Sequence, residues 1–298
     1  MQDGQQVYFN TEEAAAYLGI KERKLYELVA QAAVPCSKVT GKWLFPRAAL
    51  DRWVESGLTR PAGMSPLPPP AIIGGSHDPL LEWAARRSGC GLALLSEGSG
   101  SGLSRLGADE VAMAAIHMHG HEDGVDANLA ALQTAPRLHD GVLVAFARRE
   151  QGLLVAPGNP LGLATLADAV ARQARFGLRQ PGAGAQQLLL LLLAEAGFSP
   201  TALHVPAAPF ATGQDLAFAI RAGEVDAGIA TRAVALAQGL GFVPLLWEHF
   251  DLAMRRRTYF EPGPQRLLAL LRSPEFHRQA GQMGGYDTGA AGDIRLNR

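Results

Sequence analysis

Fourteen residues, GLTRPAGMSPLPPP at positions 57–70, constrain this chain more than any other stretch. Its prolines interrupt the run of amide donors and it has no periodic apolar face, so it suits neither a helix interior nor the middle of a sheet. Such a segment behaves as a semi-rigid spacer of the polyproline type. The 298 residues therefore divide into a small unit at 1–56 and a large one at 71–298, each obliged to bury its own core. With 48% apolar residues the chain has the material to do so.

The small unit carries strong local signals. Asn10 or Thr11 can cap a helix whose first turn holds Glu12 and Glu13. Ala15, Ala16 and Leu18 give it an apolar face, and Gly19 ends it at a tight turn. In KERKLYELVAQA, Leu25, Leu28 and Val29 recur at helical spacing while Arg23, Lys24 and Glu27 lie elsewhere. SKVTGKWLFP predicts a hairpin turning at Thr40–Gly41, and PRAALDRWVESG a third helix opening beside Pro46. Helix, glycine turn and helix make the helix-turn-helix pattern.

Four features carry a family resemblance here: T-x-E-A-A-x-x-L-G-I, Tyr26 in the second helix, G-K-W-x-F-P in the wing, and A-L-D-x-W. Over residues 7–56 they resemble the winged helix-turn-helix of the excisionase and MerR-type families. Lys21 departs from the pattern, standing where the family places a Ser cap, at a cost of about 1 kcal/mol to the helix start. The resemblance implies DNA binding by Lys21, Arg23, Lys24 and Tyr26 of the recognition helix, and by Lys38, Thr40, Lys42 and Arg47 around the wing. The net charge of the whole chain is only −1, so any such contact is local. Glu12, Glu13, Glu22 and Glu27 nearly offset the bases, which predicts modest, salt-sensitive affinity.

From Ala71 onward apolar strands alternate with helices, implying an α/β domain with a largely parallel sheet and a ligand beyond the carboxyl ends of its strands. GVLVAFARREQGLLVAPGNP reads as a pair of strands. Four junctions offer binding chemistry. Residues 74–78, GGSHD, supply Ser76, His77 and the free amides of a helix start. Residues 96–102, SEGSGSG, supply Ser99, Gly100 and Ser101. Residues 179–184, RQPGAG, supply Arg179, Gly182, Ala183 and Gly184, and GEVDAGIA supplies Asp226. Dipoles and hydroxyls in place of lysines suit a compact tetrahedral oxyanion. No Lys-Ser/Thr follows a glycine loop, which disfavours a nucleotide. His117, His119 and His121 alternate near Asp123 but lack a fourth ligand cluster, so no metal is assigned and His117 is given to the cleft. No nucleophile, base and orienting residue stand at motif spacing, so an enzyme is not expected.

The large unit also carries a resemblance, on GSHD-LL, R-E-Q-G-L-L-V-A-P-G-N-P at 149–160, R-Q-x-G-x-G at 179–184, A-G-x-V-D-A-G-I at 222–229, L-L-R-S-P-E-F and G-G-Y-D-T. Together these resemble the periplasmic-binding-protein-like domain that accompanies such helix-turn-helix modules and is found fused to molybdopterin biosynthesis proteins. Molybdate and tungstate receptors are similar more distantly. The resemblance implies a two-lobed type II domain, lobe 1 at about 71–148 and 250–298 and lobe 2 at about 152–246, with crossings near 145–153 and 245–254. It implies a small anion in the cleft, molybdate or tungstate being favoured. Relatives read G-S-G-T-R where this chain has Gly182-Ala183-Gly184-Ala185-Gln186, so two hydroxyls and a guanidinium are replaced, with Arg179 upstream to compensate.

The expectation is a one-component transcriptional regulator, a homodimer on operator DNA that senses an oxyanion without cofactor, metal or membrane partner. The polar start MQDGQQVYFN lacks a signal-peptide pattern, and two cysteines suit a reducing compartment, which points to the cytoplasm. The alternative is a molybdenum-cofactor-related enzyme or binding protein holding a cofactor precursor in the cleft.

Overall fold

The computed structural model describes residues 7–56, 68–119, 126–135 and 137–298. Most of the expected spacer, and His121 with Asp123, lie outside the described residues. The chain forms two compact units, Met1–Leu67 and Pro68–Arg298.

The first unit comprises β1 (Tyr8–Phe9), α1 (Thr11–Leu18), α2 (Glu22–Ala30), β2 (Phe45–Pro46) and α3 (Arg47–Ser56). Asn10 closes a capping box on α1: its Oδ1 accepts from Glu13 N at 3.0 Å, and Glu13 Oε2 accepts from Asn10 N at 2.8 Å. Gly19 ends α1 at φ +67°, and α2 starts at Lys21 with no side-chain cap. Phe9, Ala14, Leu25, Val34, Phe45 and Leu50 make the small core. The wing is slighter than the expected hairpin. It consists of one antiparallel bridge, Ser37 to Leu44, and a turn with Gly41 at φ +80°. Residues 38–42 are all exposed, so they bury nothing that would extend the pairing.

The second unit begins with β3 (Ile72–Gly75), α4 (Pro79–Ser88), β4 (Ala93–Ser96), α5 (Ser99–Gly107), β5 (Met113–Ile116) and α6 (Ala127–Thr134). Then come β6 (Gly141–Val155), α7 (Leu166–Ala171), β7 (Phe176–Gly177), α8 (Gly184–Glu195), α9 (Gly213–Arg221), β8 (Ala227–Thr231), α10 (Arg232–Gln238) and β9 (Gly241–Arg255). It closes with α11 (Arg256–Tyr259), α12 (Pro262–Leu271), α13 (Pro274–Met283), β10 (Tyr286–Asp287) and β11 (Ile294–Asn297).

The sheet runs β4-β3-β5-β9-β6-β8-β7. Two expectations need correcting. Residues 141–155 are one strand, not two, because the stretch holds no turn dipeptide and its pairing with β9 runs from Gly141–Arg255 to Val155–Gly241. The sheet is mixed, not largely parallel. β3 is parallel to β4 and β5, and β7 to β8, but both sets join the antiparallel pair β6–β9 through antiparallel contacts. A chain that crosses between two lobes and returns must run its two crossing strands in opposite directions.

Those long strands serve two cores. Val142, Val144, Phe146, Phe250, Leu252 and Met254 are buried with Leu80, Leu267 and Phe276 of the first lobe. Beyond the middle of the strands, Leu153 and Val155 are buried with Phe176, Leu188 and Ile229 of the second. The register shifts between Gln151 and Gly152, and a Cβ at Gly152 would meet Val243 O at 2.3 Å. Among the described residues no helix is long and apolar enough to cross a membrane.

Candidate functional site

The apolar pattern of the crossing strands breaks at their midpoint. Arg149 and Gln151 of β6 and Glu248 of β9 are buried, with Arg149 opposite Glu248 in the ladder. Arg149 Nε donates to Glu248 Oε1 at 2.5 Å and its Nη1 to Asp78 Oδ2 at 2.9 Å. Asp78 Oδ2 also accepts from the Tyr286 hydroxyl at 3.0 Å, while Oδ1 accepts from Leu80 N and Leu81 N and so caps α4. Gln151 Nε2 donates to Glu248 Oε1 at 2.9 Å, and His119 Nε2 lies 2.8 Å from Oε2. The guanidinium of Arg149 sits 4.1 Å from the centre of the Phe250 ring. Burial opposes ionisation of Glu248, yet the Arg149 charge and the His119 hydrogen bond hold its carboxyl well below the usual range. Burial likewise opposes the charge on Arg149, which Glu248 and Asp78 outweigh.

Against this network lies a cavity of about 30 Å³. At about 10–15 Å³ for one water, it is on the scale of a small ion. Ser76, His77 and His117 of the first lobe line it, as do Arg179, Ala183 and Thr231 of the second, with Arg149 and Gln151 between them. Ser99 stands behind: its Oγ is 2.8 Å from Ser76 Oγ and accepts from His117 N at 3.0 Å. Burial keeps the His117 imidazole well below its usual pKa, so the ring is neutral. Three polar atoms of lining residues, His117 Nε2, Gln151 Oε1 and Thr231 Oγ1, are buried without a hydrogen-bond partner among the described residues. α5 and α8 start at Gly98 and Ala183 with no side-chain cap, and both residues line the cavity.

Arg179 supplies the charge. Its Nε donates to Phe210 O at 3.2 Å and its Nη2 to Ala211 O at 2.9 Å. It forms no salt bridge among the described residues. Burial and the neighbouring Arg149 charge pull it down to about 10, so it stays protonated at neutral pH.

Of the eleven residues expected at the ligand, Ser76, His77, His117, Arg179 and Ala183 line the cavity, and Ser99 holds His117. Gly184 is packed on His117 across the lobes, where a Cβ would come within 2.2 Å of Nε2. Gly182 is exposed at φ +83°. Gly100 and Ser101 do not line the cavity: Gly100 borders a separate depression with Leu103 and Met118, and Ser101 faces solvent. Asp226 is also misplaced by the sequence reading. It pairs with Arg175 at 2.6 Å and sits just before β8, at that strand's amino end, whereas the carboxyl end of β8, at Thr231, reaches the cavity. The first helix start is not free either, because Asp78 takes its amides.

Sequence reasoning missed Arg149, Gln151, Thr231 and Glu248 as site residues. The available signal was R-E-Q inside an apolar strand, where alternation puts Arg149 and Gln151 on one face. His117, His119 and Glu248 also offer ligand atoms within 4.8 Å of one another, a set able to hold a cation.

In the first unit, Lys21, Arg23, Lys24, Tyr26, Lys38, Thr40 and Lys42 are exposed, and Arg47 is half-buried. Glu27 lies 3.6 Å from Arg23 and 3.3 Å from Lys24. Lys38 stacks on Trp43 and Arg47 on Tyr17.

A family profile described as a PBP superfamily domain matches residues 81–272, and one described as a helix-turn-helix domain matches residues 8–57. The uncharacterized protein YvgK of Bacillus subtilis (strain 168) is 25% identical over 154 residues, 52% of this chain and 49% of its own length. The match thus spans about half of that relative. Among solved structures, a Clostridium perfringens protein described as a phosphate ABC transporter substrate-binding protein, with phosphate bound, has a TM-score of 0.55 and 13% identity, over 72% of this chain and 98% of that one. The tungstate ABC transporter from Geobacter sulfurreducens has a TM-score of 0.52 and 15% identity, over 71% and 97%. At these identities the likeness is one of fold.

Proposed function

This chain belongs to the PBP superfamily domain family, with a helix-turn-helix domain ahead of it, and on that premise we propose a transcriptional regulator that senses a compact oxyanion. One observation carries the ligand half: Arg179 is a cavity-lining cation with backbone carbonyls for partners and no salt bridge among the described residues. An anion there is further favoured by the uncapped starts of α5 and α8. Molybdate and tungstate, expected from the sequence, and phosphate all fall in this class. Neighbours of the same fold are described as binding phosphate and as a tungstate transporter, which supports the class without choosing within it.

Binding suits the site better than catalysis, since the acids beside the cavity are already engaged, Glu248 and Asp78 by Arg149. A cation at His117, His119 and Glu248 would have to lie near two guanidiniums, those of Arg149 and Arg179. The regulator acts in the cytoplasm as a homodimer, its two recognition helices set for half-sites about 34 Å apart. Anion binding favours the closed arrangement, in which Gly184 packs on His117, and changes operator affinity by about 1–3 kcal/mol.

The test uses the full chain. DNA enriched from a random duplex pool is titrated with and without oxyanions. A sequence that is bound, lost in the Arg23→Ala/Lys42→Ala variant, and shifted in affinity by an anion supports the reading. No enrichment removes the DNA half, and indifference to every anion removes the sensing.

A further inference from the structure

The hydrogen-bonding inventory of the cavity narrows the anion. Of the three unpartnered atoms, Thr231 Oγ1 can donate or accept, and His117 Nε2 can do either according to its tautomer. Gln151 has no such freedom. Its amide orientation would ordinarily be a matter of assignment, but here a neighbour decides it. Gln151 Nε2 lies 2.9 Å from Glu248 Oε1, the oxygen that also accepts from Arg149 Nε at 2.5 Å. An ionised carboxylate only accepts, so the amide NH₂ must face it. Turning the amide over would set two oxygens 2.9 Å apart. Gln151 Oε1 is thereby left as a buried acceptor without a donor, on a residue that lines the cavity.

We infer that the anion this cleft accommodates still carries a proton: an oxyanion with an O–H, of the monohydrogen phosphate or arsenate type, that donates to Gln151 Oε1. The inference rests on the oxyanion reading above and selects within it. Arg179 and the uncapped amides serve the ionised oxygens. A fully deprotonated anion of similar shape, such as sulfate, molybdate or tungstate, sets a lone pair against that of Gln151 and leaves this buried acceptor unpaired.

The experiment is calorimetric titration of the full chain at neutral pH with phosphate, arsenate, sulfate, molybdate and tungstate. Phosphate and arsenate are expected to bind tighter than the other three by roughly 5- to 150-fold, the range set by leaving one buried group unpaired. In Gln151→Met the ratio of phosphate to sulfate affinity falls toward one. Sulfate, molybdate or tungstate binding as tightly as phosphate overturns the inference and leaves the oxyanion reading in place. A folded Gln151→Met with an unchanged ratio also overturns it. Binding of none of the five removes the oxyanion reading, and this inference with it. Should the variant fail to fold, the ratio in the unaltered protein decides alone.

Discussion

Replacing Arg149 with Met removes a buried cation and leaves its two acids behind. The methionine occupies much of the volume of the aliphatic stem, so packing changes little and electrostatics dominate. Asp78 Oδ2 loses a partner at 2.9 Å and Glu248 Oε1 one at 2.5 Å. Breaking a buried pair from one side costs about 3–5 kcal/mol. Here one cation serves two carboxylates, but Glu248 keeps Gln151 and His119, and Asp78 keeps Tyr286 and two amides. A middle figure of about 4 kcal/mol follows from that range. At roughly 2–4 °C per kcal/mol for a unit of this size, the melting temperature should drop by about 8–16 °C at pH 7. The pH dependence has a definite sign. Glu248 is held low in the folded protein, so its stabilisation is present above the unfolded carboxyl pKa and is lost as pH falls toward the folded one. The deficit of the variant should therefore shrink below about pH 4. Thermal unfolding followed by circular dichroism at pH 7 and at about pH 3 measures both. A melting temperature within about 2 °C of the unaltered protein at pH 7, where the size scaling predicts several times more, would falsify the account of the network.

Arg179→Met should weaken anion binding by about 1.5–3 kcal/mol, roughly 10- to 150-fold by calorimetry, without lowering the melting temperature of the free protein, because no acid among the described residues loses a salt-bridge partner. Unchanged affinity would place the anion elsewhere. Gly184→Ala puts a Cβ 2.2 Å from His117 Nε2 and 2.4 Å from His117 O, and a backbone oxygen cannot rotate away. The lobes must part, so affinity should fall by about tenfold or more while the melt stays near that of the parent; full affinity would mean that the closed contact is dispensable. Asp251 is fully buried, and burial raises its carboxyl from 3.8 to about 6 even beside Arg295. Its folded pKa being the higher, stability is fullest below the unfolded pKa and declines as pH rises through about 6. Asp251→Asn does not titrate there, so it should gain about 3 kcal/mol on the parent between about pH 3 and pH 8. A stability difference that stays flat across that range would refute the shift.

How much of this was legible depends on how far apart the deciding residues lie. The capping box at Asn10 and Glu13, the glycine stop at Gly19 and the strand-to-helix junctions are settled within a few residues, so the helix-turn-helix and the α/β alternation could be read directly. The R-E-Q stretch could not. Four consecutive polar residues, Arg148 to Gln151, in an apolar run look like a break between strands until an opposing strand supplies Glu248. Asp226 shows a second limit. A junction motif does not say which end of its strand faces the cleft, and strand direction in the assembled sheet put Thr231 there instead.

The sequence by itself determined two units, their classes, and a pocket short of lysines, because spacers, caps, turns and amphipathic periods are local. The tertiary structure decided which polar groups are neutralised and which are left open to a ligand. Asp78 meets Arg149 from 71 positions away and Tyr286 from 208, Glu248 meets Gln151 from 97, and after those pairings Arg179 has no salt bridge among the described residues and Gln151 keeps a bare acceptor. A buried group takes its charge and its hydrogen-bonding role from what surrounds it, and those surroundings exist only once the lobes have packed.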